Sequence, residues 1–240
     1  MTNSLSERDS RARARWGGIA AVVAGLTGAG AAVFLVLVPP AVPDDVFSYP
    51  LTAAGFAVAQ SAFFVHHLVA ATALEFLRRA GLAGHGRGAD AAGLAAVVVL
   101  VVLGVQELVA IGAATAPYPS PRTDLVETVY GAISVALAVV LVWLGVRVVR
   151  AGVLTGAGRW SVLVTGVYVF VPLTPATFGP FVVGRLAVAG WLLLFTWIGV
   201  AMLRWAAAGH GTPAMPPPGP PGPPGAPGRR VTRATTDRSG

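Results

Sequence analysis

Six long apolar stretches, parted by short polar or proline-rich segments, set the rhythm of the chain. They lie near 17–38, 54–77, 91–115, 126–147, 160–178 and 181–204. A helix rises about 1.5 Å per residue, so roughly 20 apolar residues cross a hydrocarbon layer about 30 Å thick. Each stretch meets that length. The pattern predicts an all-α polytopic membrane protein with six transmembrane helices in three hairpins. A basic segment, 1–16, precedes the six-helix domain, 17–205, and a Pro/Gly-rich tail, 206–240, follows it.

The connections differ in kind. PPAVP at 39–43, PYPSP at 117–121 and PLTPATFGP at 172–180 are rich in proline, which cannot continue a helix and restricts the residue before it. These read as stiff caps on one side of the membrane. Pro172 is expected to break or kink the end of the fifth span. The other connections carry arginine instead. Arg8, Arg11, Arg13 and Arg15 come before the first span, and Arg78, Arg79 and Arg87 follow the second. Arg147, Arg150 and Arg159 lie between the fourth and fifth, and Arg204 and the tail arginines close the set. Six crossings put all of these on one side, so both termini are expected in the cytoplasm.

Composition agrees with the pattern. Of 240 residues 55% are hydrophobic and only 11% charged, against about a quarter charged in soluble domains. The net charge of +7 comes from 17 basic residues, all arginine. Their placement beside apolar spans argues for setting orientation, not for binding nucleic acid. Ala, Gly, Pro and Arg richness without lysine points to a GC-rich bacterial genome, and so to a bacterial plasma membrane. A cleaved signal peptide is the alternative reading of 1–38. Its apolar run of about 22 residues exceeds the 7–15 of a signal core.

Small residues mark the first span. Ala20, Ala24, Gly28 and Ala32 form one row, and Ala21, Gly25 and Ala29 a second. Such rows let helices approach closely in lipid. They predict a packing face within the bundle, with a second copy or another membrane-complex subunit as the alternative partner. GLTGAGAA at 25–32 is not a nucleotide loop, because no strand precedes it and the chain has no lysine. The tail sequence PPPGPPGPPGAPG predicts polyproline II or disorder.

Chemistry is sought among polar residues inside the spans, where each is costly. His66 and His67 lie together in the second span, in FFVHHLVAATALEF. Neighbours on a helix point about 100° apart, so the two rings address different helices. His67 shares a face with Gln60. The remaining histidines, His85 and His210, lie outside the spans, and there is no cysteine. That leaves no ordinary ligand set for zinc or bis-histidine haem, and no cofactor is expected. Counting helical rise from the joined ends of the second and third spans puts Glu107 about 7 Å farther from the arginine side than His67. Arg185 and Glu127 stand at similar heights. The expectation is therefore an outer-half polar cluster of Gln60, Gln106, Glu107, Glu127 and Arg185, floored by His66 and His67. It is a candidate proton or solute site, and Arg185–Glu107 a candidate ion pair. Glu75 reads as a boundary residue paired with Arg78 and Arg79.

Three function classes follow: a non-catalytic accessory or transport-like membrane protein, a proton- or solute-translocating permease using His67 and Glu107, and an intramembrane enzyme. The last has no visible nucleophile–base pair.

Overall fold

The computed structural model describes residues 2–208, with side chains from residue 7 onward. The proline-rich repeat of the tail lies outside the described residues. Among those described, the chain is all-helical. Its spans are α1 (Thr2–Leu37), α2 (Ala53–Arg79), α3 (Arg87–Ile111), α4 (Pro121–Ala151), a composite fifth, and α7 (Phe181–Ala207). The fifth joins a 3₁₀ turn (Gly156–Trp160), α5 (Ser161–Tyr168), a π turn (Val169–Leu173) and α6 (Thr174–Thr177). Six stretches are long and apolar enough to cross a membrane.

The ends follow local chemistry. Helix α1 begins well before the apolar run, because nothing in SERDSRARAR breaks a helix and Glu7 pairs with Arg11 at 2.7 Å, four residues on. Helix α4 starts at Pro121, whose missing N–H costs nothing at a first helical position. Ser120 caps it in a reciprocal box with Thr123. Gly152, at φ 65°, ends it in the left-handed region that favours glycine. Helix α3 stops at Ile111, about four residues early, because the next residues pair with another connection.

The fifth span breaks where Pro172 sits. Proline has no N–H and its ring crowds the preceding turn, so the ladder widens into the π turn. Val169 carbonyl keeps a partner: Thr174 Oγ1 donates to it at 2.7 Å, as does the Thr174 N–H.

Each helix packs on its neighbours in chain order, and α7 closes the ring by packing most extensively on α1. That last pair is antiparallel and nearly backbone to backbone. A Cβ added at Gly25 would lie 2.5 Å from Thr196 N, and one at Gly199 would lie 2.6 Å from the Gly18 carbonyl oxygen. Glycine is what permits the approach.

The start of α1, the α2–α3 connection and the α4–α5 connection come together at one face, where Arg13 donates to the Arg79 carbonyl at 3.3 Å and a Cβ added at Gly84 would lie 3.1 Å from Ala151; Arg122, at the start of α4, bonds the Gly112 carbonyl at the other. At the first face Glu75 takes a bidentate bond from Arg78 (both 2.8 Å) and one from Arg79 (2.5 Å), while Arg78 also reaches Asp90 at 3.1 Å. At the opposite, proline-rich face the first two connections are stitched together. Val46 and Pro117 form an isolated antiparallel bridge. Phe47 N donates to Ala116 (3.1 Å), Ser48 N to Ala114 (3.1 Å) and Tyr118 N to Asp45 (2.7 Å). This strap lies over the candidate site.

Candidate functional site

The second span carries the site's centre, and glycines on neighbouring helices admit its rings. His66 turns to α1, where a Cβ on Gly28 would fall 2.4 Å from Nε2. His66 Nε2 bonds to the Ala24 carbonyl at 2.8 Å, so this nitrogen carries the proton and Nδ1 is left a buried acceptor without a partner. His67 turns to α3, against Gly104, whose added Cβ would lie 3.2 Å from the His67 Cβ. His67 Nδ1 donates to the Phe63 carbonyl at 2.7 Å, one turn back. The rings meet edge to face, centroids 5.2 Å apart.

Glu107 sits beyond His67 toward the proline-rich face. Its Oε2 accepts from Gln60 Nε2 at 2.9 Å and from the Tyr130 hydroxyl at 2.7 Å. Gln60 Nε2 also donates to the Tyr130 oxygen at 3.1 Å, closing a triangle across α2, α3 and α4. Oε1 faces His67 Nδ1 at 3.9 Å, too far for a hydrogen bond. Glu107 is 9% exposed and Gln60 8%, so the triangle is removed from bulk water. Low dielectric strengthens such charge-assisted bonds and makes each partner costly to remove.

The other candidates separate from this group. Arg185 acts on Glu107 and Tyr130 by charge alone. Its guanidinium lies over the Phe181 ring, 5.1 Å from the centroid and one helical turn away. Gln106 is buried, but its amide reaches the Val126 carbonyl at 3.4 Å, away from the triangle. Glu127 is exposed on α4 and interacts with Tyr118 in the strap. The direct Arg185–Glu107 contact anticipated from depth is thus absent among the described residues. The group brought together is Gln60, His66, His67, Glu107 and Tyr130. Tyr130 is the member the depth argument passed over. Its signal was a phenol inside a span, since a buried tyrosine hydroxyl needs a partner.

A narrow cleft enters from the proline-rich face between Ser48, Tyr49, Phe56, Ala59, Gln60 and Arg185. It offers about 10 Å³ to a water centre, the room of about one molecule. It ends at Gln60, one hydrogen bond short of Glu107. A larger concavity of about 200 Å³ opens on the arginine face near Ser10, Arg78, Arg79 and His85. Its Arg78 and Arg79 are already engaged by Glu75 and Asp90.

No family model matches the chain, and neither a curated protein nor a solved structure is significantly similar to it. Function therefore has to be argued from the site itself.

Proposed function

We propose that this chain is a non-catalytic accessory protein of a bacterial plasma membrane, with both termini cytoplasmic. Its polar cluster fixes one half of a closed bundle. One observation carries the reading: the cluster's hydrogen bonds are made within the bundle, while toward the arginine face the buried residues of α2 are Ala70, Ala71, Ala73, Leu74 and Leu77, and the buried hydroxyls of Ser161 and Thr165 are spent on nearby carbonyls. A conduit needs polar groups or water along its whole length. A structural cluster needs only mutual satisfaction. The lipid bilayer is one partner, met by exposed side chains such as Val58, Leu94, Val139 and Leu186. A second copy or another membrane subunit is the other partner class, and no nucleic acid is involved.

The test is flux from purified protein in liposomes. Proton leak and small-solute swelling no greater than in protein-free liposomes are expected. Flux that His67→Ala or Glu107→Gln abolishes would install the second reading, a permease. That reading has the water-sized cleft and the broken fifth span in its favour.

A further inference from the structure

The polar column is one-sided. From the proline-rich face it runs through the cleft at Arg185 to Gln60, then to Glu107 with Tyr130, then to His67 and His66. It stops there. His66 Nε2 is spent on the Ala24 carbonyl, and Nδ1 has no hydrogen-bond partner. Farther on, the buried residues include Leu74, Leu77, Leu144, Ile198 and Met202; the hydroxyls of Ser161 and Thr165 are spent on nearby carbonyls, and Thr196 Oγ1 is buried without a partner. Among the described residues no carboxylate, imidazole or guanidinium follows until the arginine face.

We infer that Glu107 is a proton-binding site served from the proline-rich face alone, holding a proton without passing it through the membrane. Both helices packed on α3 present a group to it, Gln60 and His67 from α2 and Tyr130 from α4, and the charge of Arg185 on α7 acts on it from farther away. Oε2 is occupied by two donors, so Oε1 receives the proton. With the Gln60 amide swung aside, a hydronium from the cleft reaches the carboxylate and gives it its proton. An O–H bond forms on Oε1, one water is left behind, and the cluster gains one positive charge beside Arg185. Release runs the same step backward. Gln60, standing between cleft and carboxyl, governs the exchange. The idea rests on the closed-bundle reading, because an open path to the arginine face would make the same groups a relay.

The experiment is infrared difference spectroscopy of the full chain in liposomes of uniform orientation, with pH stepped on one side at a time. A carboxylic C=O band should appear on acidification and vanish on return, and Glu107→Gln should remove it. The band should follow pH on the proline-rich face only. Ala59→Trp, which plugs the cleft while leaving Glu107 in place, should slow the response by about tenfold, and this variant serves if Glu107→Gln fails to fold. A carboxyl that does not titrate, with no proton flux, overturns this inference and leaves the closed bundle standing. A band that follows pH on the arginine face, with flux, overturns both.

Discussion

Tyr130 and Glu107 hold α4 to α3 through a 2.7 Å hydrogen bond. Tyr130→Phe deletes the donor and keeps the ring. Bonds to charged groups contribute about 1.5–3 kcal/mol in water-soluble proteins, and interhelical ones in membranes average nearer 0.6. A loss of about 1–2 kcal/mol is expected, read as a lower unfolding midpoint in mild detergent. With Gln60→Ala, the double-mutant cycle should be non-additive, since all three groups share one triangle. Strict additivity would show that the triangle does not act as a unit.

Glycine positions on α1 should respond unequally. Gly25→Ala forces a methyl within 2.5 Å of Thr196 backbone and should destabilise the α1–α7 pair by about 1–3 kcal/mol. Gly30→Ala meets nothing within 4 Å and removes a poor helix former, so it should be neutral or stabilising by up to about 1 kcal/mol. Thermal unfolding of the two variants side by side decides this. An equal loss in both would contradict the close contact.

Orientation can be measured directly, because the chain has no cysteine. Asp44→Cys on the strap and Thr155→Cys on an arginine-bearing connection are both exposed. An impermeant maleimide added to intact cells should label the first and spare the second. The reverse pattern would invert the assignment drawn from arginine placement.

Tyr118 gives a pH prediction outside the spans. Partial burial first, then its bond to Glu127 and that residue's charge, push its phenol above the ordinary value. A group whose folded pKa is raised stabilises the fold fully below its unfolded value of about 10. That contribution fades as pH climbs through the raised folded value. Glu127→Gln should shift the phenolate absorbance transition to lower pH. An unchanged transition would mean that Glu127 does not act on Tyr118.

The spans were legible because membrane thickness imposes a length that composition cannot hide. Depth was legible for the same reason, and Gln60, His67 and Glu107 were grouped by height. Rotation about each helix axis was not. Gln106 and Glu107 are adjacent and both buried, yet one turns to the Val126 backbone and the other to the triangle. Glu127 lies near Glu107 in height but points outward. Arg185 found a ring on its own helix, an arrangement that height alone does not reveal. The small rows on α1 showed closeness without direction: Gly28 makes room for His66, while Gly25 faces α7.

The closing of the ring by α1 and α7 has a consequence for biogenesis. α1 is made before its most extensive partner, α7, with the other four spans between them. Until Phe181–Ala207 is synthesised, the groove at Gly18 and Gly25 stays open to lipid or to whatever insertion factor attends the chain. A chain truncated before α7 leaves that groove uncovered.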